Sequence, residues 1–312
     1  MTMRWRKLGP LYTPDGSQAW AHSHAMSPTP LAVSDNVVRL YVAHLDEHSV
    51  GRIGYVDVEL SNPTRPTAVA QHPVLDIGAP GTFDDSGVVP LCAVRAGTQI
   101  RLYYSGFQLH RKIPYTIFSS VAVSDDGGAS FKRISDVPAL DRIPGEVFFR
   151  AAPWVTYDNG RWRMWYIGGG AWTEDENGKM LPRYSLRHTE SVDGIDWRNS
   201  SVECLTPRAP LEIGFGRPFV QRHASGYRMW FSIREREGYH LGYATSTDGL
   251  VWTRDDDETG IAQSETGWDS EMVCYAAIVP TPDEWLMFYN GNGYGRTGVG
   301  VAVAKPDRCH AK

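Results

Sequence analysis

The sequence predicts an all-β fold, a five-bladed β-propeller, because one pattern recurs five times along the chain. Each copy has an arginine or leucine followed by three apolar or aromatic residues, and successive copies begin 62, 62, 65 and 58 residues apart. An apolar run, usually opened by proline, lies upstream of each copy. Five copies of one supersecondary unit indicate a repeat architecture. The copies begin at Arg39, Arg101, Arg163, Arg228 and Leu286.

The third copy shows the first two strands of the repeat most clearly. An apolar run, Ala151–Tyr157, is followed by Asn159 and Gly160 and then by the alternating aromatic run Arg161–Ile167. Asn-Gly supplies the positive φ angles that a tight hairpin turn needs. We therefore predict an antiparallel hairpin at the start of each copy.

Two further strands complete each copy. Ser-x-Asp-Gly segments at 191–194 and 246–249, and the related segment at 124–127, are typical of turns, so we expect Asp126, Asp193 and Asp248 to be turn residues. The aromatic residue after each turn begins a fourth strand, which gives the four-stranded blade of a propeller. The fifth copy ends after its third strand, and we expect Arg4–Tyr12 to supply the missing strand and close the ring.

The repeat covers nearly all of the 312 residues, so we predict one domain over residues 1–312. It consists of a closing strand at 1–19 and five blades, which lie approximately at 20–75, 80–138, 144–205, 210–260 and 266–304.

Composition limits the partners. The net charge of −5 arises from 31 basic and 36 acidic residues that are interleaved, so we expect neither nucleic acid nor a membrane as a partner. The N-terminus lacks an apolar signal segment and no stretch approaches the roughly 20 apolar residues of a membrane span, which favours a cytoplasmic protein. The oligomeric state stays open. No spacing typical of a metal or redox site links the four cysteines, and we expect free thiols at Cys92, Cys204, Cys274 and Cys309.

Acidic residues or histidine precede the first strand of the repeat at a nearly constant distance. Six residues before its proline, or before Ala277 in the fifth copy, the chain has His24, Asp84, Val147, Glu212 and Glu271, and Glu146 lies one position earlier than Val147. The innermost strands of a propeller begin near one face of its channel, so we expect these side chains to converge. We predict catalytic roles for Asp84, Asp85, Glu146 and Glu271, and substrate binding by His24, Arg150, Glu212, Arg217, Tyr275, Trp172 and His110.

Such a convergence favours chemistry on a glycosidic bond. Like charges and burial raise the pKa of one carboxyl group and leave another ionised, which produces an acid and base pair. Glycoside hydrolysis uses two carboxyl groups in these roles. Nearby arginines suit a carboxylate or an acidic or phosphorylated sugar, so we expect a carbohydrate or a glycosylated small molecule as partner.

The five copies, the acid before each first strand and the Ser-x-Asp-Gly-x-x-Trp turns resemble the propeller carbohydrate enzymes of glycoside hydrolase families 43 and 32. Uncharacterised bacterial proteins associated with surface-polysaccharide biosynthesis are similar in segments 83–90, 243–252, 267–272 and 287–295. The resemblance implies a glycoside hydrolase-like activity in a central pocket. Those families carry Asp in the first two blades and Glu in the third. This chain has His22 and His24 in the first and matches only Asp84 or Asp85 and Glu146 loosely, so transfer and phosphorolysis stay open beside hydrolysis.

A non-catalytic sugar-binding propeller is the alternative function. A lectin more often repeats its site in every blade. Here the residues before the first strand differ among the five copies, which favours a single central site and an enzyme. We expect no cofactor and no metal ligands. A structural cation in the channel stays open, because Asp84, Asp85 and Asn290 offer hard oxygen atoms.

Overall fold

The computed structural model describes residues 3–197 and 201–305, and their regular secondary structure is almost entirely β-strand. The N-terminal strand is β1 (Arg6–Tyr12). Four successive groups of four strands follow, which we call units 1 to 4. Unit 1 contains β2 (Ser23–Ala32), β3 (Val37–Leu45), β4 (Gly51–Glu59) and β5 (Pro66–Val69). Unit 2 contains β6 (Val88–Ala96), β7 (Gln99–Leu109), β8 (Tyr115–Ser124) and β9 (Lys132–Arg133).

The second half of the chain continues in the same way. Unit 3 contains β10 (Phe149–Asp158), β11 (Arg161–Glu174), β12 (Met180–Ser191) and β13 (Val202–Leu205). Unit 4 contains β14 (Gly214–His223), β15 (Gly226–Arg234), β16 (Tyr239–Ser246) and β17 (Thr253–Arg254). Unit 5 contains β18 (Cys274–Pro280), β19 (Trp285–Asn290) and β20 (Val299–Ala304) together with β1. Short helical turns are found at Ala19–Ala21, Asp256–Thr259 and Asn292–Gly295.

Neighbouring strands within each unit are antiparallel. Units 1, 4 and 5 are separate four-stranded sheets, and a short parallel pairing of β8 with β10 joins units 2 and 3 into one sheet. Strand β1 lies on the outer edge of unit 5, where Arg6 pairs with Val303 and Tyr12 with Val299. The far N-terminal segment therefore covers the edge that β20 would otherwise expose.

Each Ser-x-Asp-Gly turn is fixed by its own side chains and held by the preceding unit. The backbone N–H groups of Leu250 and Val251 donate to Asp248, and these bonds lower the pKa of that carboxyl group, as expected for a turn residue. The Trp165 indole N–H of unit 3 donates to the carbonyl of Gly249 at 2.7 Å. Equivalent bonds run from Tyr103 to Gly194 and from Tyr41 to Gly128. The recurring aromatic residue of one unit thus holds the turn of the next.

The apolar core lies between units rather than within them. Each of the five larger clusters of buried apolar residues combines side chains of two neighbouring units, and one of them joins unit 5 to unit 1 through Phe288 and Val301 packed with Leu40 and Val42. The first strands β2, β6, β10, β14 and β18 contact one another in this order, and β18 contacts β2. The molecule is held together by the burial of one sheet face against the next.

Two of the hairpins extend well beyond the repeated segments. Residues 171–184 continue β11 and β12 as far as the pair Glu174 and Met180, and residues 107–115 continue β7 and β8 to the pair Leu109 and Tyr115.

Three of the four cysteines, Cys92, Cys204 and Cys274, are free thiols, and Cys309 lies outside the described residues. Within residues 3–197 and 201–305, no helix is long and apolar enough to cross a membrane.

Candidate functional site

Asp84 is buried and bound inside unit 2. Its Oδ2 atom accepts hydrogen bonds from Arg133 Nε at 2.7 Å and from the Tyr104 hydroxyl at 3.1 Å. The Thr82 hydroxyl donates to Oδ1 at 2.9 Å. Arg133 lies on the last strand of the unit, so the pair ties the segment before β6 to the outer edge of the same sheet.

Glu146 is bound in the same way inside unit 3. Its Oε2 accepts from Arg150 Nε at 3.0 Å and from the Tyr166 hydroxyl at 2.7 Å. Arg187 lies 3.3 Å from Oε1, and the Ser201 hydroxyl also donates to that oxygen. Arg150, one of the residues predicted to bind substrate, is therefore a buried partner of Glu146.

Asp269 repeats the arrangement in unit 5, although the sequence had pointed to Glu271 two residues later. The Tyr289 hydroxyl donates to Asp269 Oδ2 at 2.9 Å, and Lys7 Nζ on β1 lies 2.6 Å from the same oxygen. In units 2, 3 and 5 the acid precedes its tyrosine by 20 residues. That constant spacing is the sequence signal that identifies Asp269. We call each of these acid, tyrosine and cation groups an acid lock.

Glu212 forms a related pair in unit 4 without a tyrosine. Arg254 Nη1 and Nη2 donate to its two carboxylate oxygens at 2.9 and 2.8 Å. Burial opposes the charge of Glu212, but the bonds from Arg254 outweigh it and lower the pKa of the carboxyl group. The buried ring of Phe231 lies beneath the Arg254 guanidinium.

These contacts define the chemistry of the acids. Asp84, Glu146, Glu212 and Asp269 lie in four different units and are each paired with a cation there. The acids therefore act first as locks between the start of each unit and its outer strands.

The other two predicted catalytic carboxylates are not paired with a cation among the described residues. Asp85 is half-buried and accepts hydrogen bonds from the Gly81 N–H and the Ser86 hydroxyl, both at 2.8 Å. Glu271 is exposed, and its backbone N–H donates to Asn292 Oδ1 at 2.8 Å. Asn292 thereby fixes the chain from which the Glu271 side chain extends.

Arg217 is buried between units 1, 4 and 5. Its Nη1 donates to the Tyr275 carbonyl, and its Nη2 donates to the Pro28 carbonyl, both at 2.6 Å. Burial lowers the pKa of the guanidinium to about 9. Arg217 and Tyr275 both have positive φ angles at irregular points of β14 and β18, so the first strands of these units bulge where they meet.

His24 lies at the start of unit 1, near the turn at 292–295. Its Nδ1 is bonded to the Ser23 hydroxyl at 2.9 Å. Burial, and then the positive charge of Arg296, lower the pKa of the imidazole. A neutral ring is therefore favoured at this position.

The side chains that do converge from several units are tyrosines. Tyr184 and Tyr239 share a hydrogen bond of 3.0 Å between their hydroxyls, and Arg234 Nη1 donates to Tyr184 at 3.0 Å. The ring of Tyr239 lies 5.5 Å from Tyr275 and 5.6 Å from Tyr294. We call Arg234 and the tyrosines around it, from units 2, 3, 4 and 5, the tyrosine cluster; its tyrosines are Tyr115, Tyr184, Tyr239, Tyr275 and Tyr294.

The electrostatics of the tyrosine cluster favour a charged arginine among neutral hydroxyls. Burial raises the pKa of Tyr115, Tyr239 and Tyr275. Burial opposes the charge of Arg234, but the tyrosine oxygens outweigh it and raise the pKa of the guanidinium. Tyr294 is 38% exposed, so the cluster reaches the surface.

Trp172 and Phe149 extend the cluster toward unit 2. The ring of Trp172 lies 5.1 Å from Tyr115 and 5.2 Å from Phe149. His110 lies further out, where its Nε2 is bonded to the Thr116 hydroxyl at 2.9 Å. Of the predicted binding residues, Tyr275 and Trp172 thus belong to one group of aromatic side chains. The sequence analysis did not single out the other cluster residues, which are Tyr115, Tyr184, Arg234, Tyr239 and Tyr294. Tyr184 and Tyr239 each lie seven residues before the serine of a Ser-x-Asp-Gly turn, a spacing that marks them in the sequence.

Within residues 3–197 and 201–305, no group of three or more His, Cys, Asp and Glu side chains is placed to hold a metal ion. The side-chain amide of Asn290, considered above as a cation ligand, is hydrogen-bonded to backbone groups. Its Oδ1 accepts from the Ser27 N–H, and its Nδ2 donates to the carbonyls of Ala25 and Gly298.

Comparison with known proteins places the chain in a family. No family model matches it. It is 36% identical over 301 residues to "Uncharacterized protein Rv1502" of Mycobacterium tuberculosis strain H37Rv, a match that covers 96% of this chain and 99% of the relative. The chain belongs to the Rv1502 family. A second member, "Uncharacterized protein MT1551" of strain CDC 1551, matches with the same identity and coverage.

Solved structures share the fold of this Rv1502 family member. A glycosyl hydrolase from Bacteroides ovatus matches all of the chain and 96% of its own with a TM-score of 0.74 at 15% identity. A thermostable family-43 glycoside hydrolase matches 93% of this chain and 95% of its own with a TM-score of 0.67 at 14% identity. A structure from the GH130 family of mannoside phosphorylases matches all of this chain and 98% of its own, with a TM-score of 0.71 at 15% identity.

Proposed function

We propose that this chain is a single-domain, five-bladed β-propeller, closed into a ring by β1, that binds a carbohydrate at the tyrosine cluster. Five units, the contact of β18 with β2 and the apolar cluster between units 5 and 1 support the ring. The likeness in fold to proteins described as glycoside hydrolases and mannoside phosphorylases supports the class of ligand.

The observation that carries the proposal is the tyrosine cluster itself. Its side chains come from four units, and no carboxylate of the described residues pairs with Arg234. A tyrosine presents an apolar ring face to the C–H groups of a sugar and a hydroxyl to its oxygens. The guanidinium adds several fixed donors. This combination suits a polar ligand with apolar faces, which is the character of a sugar ring.

The test is a binding titration against a panel of monosaccharides and disaccharides, followed by calorimetry. Arg234→Gln and Tyr239→Phe should each weaken the best ligand by about tenfold, because each removes hydrogen bonds worth about 1.4 kcal/mol at the ligand. Tyr157→Phe, at an exposed tyrosine of the β10 and β11 turn, is the matched control and should leave affinity unchanged. Equal affinities for the two cluster variants and the control would refute the tyrosine cluster as the site.

Glycosidic bond chemistry is the second candidate function. It is favoured by Glu271 and Asp85, because neither carboxylate forms an ion pair with any described residue. Glycoside hydrolysis needs one carboxyl group as acid and one as base or nucleophile, and the acid locks leave these two available. In this candidate function the locks keep their structural role, and the reaction is hydrolysis, transfer or phosphorolysis.

The second candidate function is tested by incubation with a panel of glycosides, with and without inorganic phosphate. Glu271→Gln should reduce turnover by at least about a hundredfold while affinity is retained, because a general acid contributes that much to rate. Turnover of the variant at the parental rate would contradict the role of Glu271. No turnover of any glycoside that the protein binds would contradict an enzymatic function and favour a non-catalytic sugar-binding propeller.

A further inference from the structure

A pocket of about 350 Å³ lies beside the tyrosine cluster, between the hairpin turn of β7 and β8 and the segment before β10. Four of its lining residues are basic, and none of the described residues that line it is acidic. The basic residues are His110, Arg111, Lys112 and Arg142. Three cationic side chains, Arg111, Lys112 and Arg142, thus line one pocket of a chain with a net charge of −5.

The pocket is partly fixed by contacts with its neighbours. The Thr116 hydroxyl holds the ring of His110, and the Arg142 guanidinium lies 4.4 Å from the ring centre of Phe118. Asp141 lies 3.7 Å from Arg142 on the exposed surface and offsets part of that charge. Arg111 and Lys112 form no ion pair with any described residue, so their charges are available to a ligand.

The pocket adjoins the tyrosine cluster through two phenylalanines. Phe148 lines the pocket, and its neighbour Phe149 packs against Trp172 at 5.2 Å and against Tyr184 at 5.4 Å. Tyr115 also packs on Phe149, at 6.2 Å. The basic pocket and the tyrosine cluster are therefore joined by a continuous set of packed aromatic side chains.

We propose that this pocket binds the anionic group of the ligand, and that the carbohydrate is therefore phosphorylated or acidic rather than neutral. The inference rests on the proposed sugar site at the tyrosine cluster. Arginine and lysine bind phosphate and carboxylate oxygens through charge-assisted hydrogen bonds, and Arg111 and Lys112 offer both kinds of donor. Phosphate and carboxylate share this chemistry, and the experiment separates them.

The test compares matched ligands by calorimetry: glucose, mannose and galactose, their 1- and 6-phosphates, the corresponding uronates, and inorganic phosphate. The best sugar phosphate or uronate should bind at least about tenfold more tightly than its neutral parent, and that advantage should shrink as salt is added. The double variant Arg111→Gln with Lys112→Gln should lose the advantage and keep the affinity for the neutral sugar. Lys132→Gln with Lys305→Gln removes two exposed charges elsewhere and is the control.

The outcomes separate this inference from the proposed function. Equal affinity for charged and neutral sugars, with binding still weakened by Arg234→Gln, overturns the proposal that the ligand is anionic. The proposed sugar site at the tyrosine cluster then still stands. No binding of any ligand overturns both. An advantage for phosphates alone, or for uronates alone, supports the inference and identifies the anionic group.

Discussion

His44 shows how one buried histidine couples this fold to pH. Its Nδ1–H donates to the His24 carbonyl at 2.7 Å, and its ring packs against Tyr12 and Trp20. Its Nε2 is buried without a hydrogen-bond partner among the described residues. Burial lowers the pKa of His44 to about 4, against an opposing effect of the bond to His24. A proton on Nε2 would therefore lack both water and an acceptor.

We predict that stability falls as the pH drops from about 6.5 toward 4. The unfolded chain protonates His44 near pH 6.5, whereas the folded chain does so only near 4, so stability present above 6.5 is lost across that window. The loss from this residue is about 3 kcal/mol. Urea unfolding at several pH values measures it. His44→Gln should flatten the dependence, and exposed His48→Gln should not. Parallel pH profiles for wild type and His44→Gln would rule out this role.

At the scale of elements, the acid locks hold the strands of units 2, 3 and 5 together. The acid precedes the first strand, and its tyrosine ends the repeated segment of the second strand. In units 2 and 5 the cation comes from an outer strand, as in Asp84 with Tyr104 and Arg133. A side chain at Gly106 would collide with Asp84, because its Cβ atom would lie 2.2 Å from the Asp84 Cβ. The lock therefore fixes the start of the unit against two of its strands, β7 and β9.

We predict that Arg133→Gln destabilises the fold by about 3 kcal/mol, because it leaves the buried Asp84 carboxylate without its cation. Asp84→Asn should cost less, since the partly exposed Arg133 can be hydrated. The double variant should cost less than the sum of the two, as expected for groups in contact. Denaturant unfolding of the four proteins gives the coupling energy. Asp85→Asn, at the adjacent half-buried acid, is the control. Strictly additive effects would show that the two groups do not form a lock.

The elements were largely predictable from the sequence, and the locks were not. The hairpin around Asn159 and the turn at Asp248 carry local signals, because the residues that form them are neighbours in the chain. Asp84 and Tyr104 are 20 residues apart, and only the pairing of β6 with β7 brings such residues together. Asp84 and Glu146, two of the four acids predicted to be catalytic, are thus bound to structural partners.

At the scale of the whole molecule, the tyrosine cluster exists only through the arrangement of the units. Tyr115, Tyr184, Tyr239 and Tyr275 lie on strands of four different units. Tyr184 and Tyr239 share a spacing to a turn, but no pattern in the sequence links all four tyrosines to one another. Arg217 contributes to their placement, because it binds the Tyr275 carbonyl and the Pro28 carbonyl across three units. The side chains that converge from four units are thus aromatic residues and an arginine, whereas the sequence analysis expected acids and a histidine to converge.

The most direct measurement is a crystal structure of the protein soaked with the tightest sugar phosphate or sugar of the panel. We predict density for the sugar ring against Tyr239 and Tyr294, with Arg234 donating to its oxygens and any anionic group directed toward Arg111 and Lys112. Clear density for the sugar at another place, with the tyrosine cluster unoccupied in the same crystal, would contradict the account.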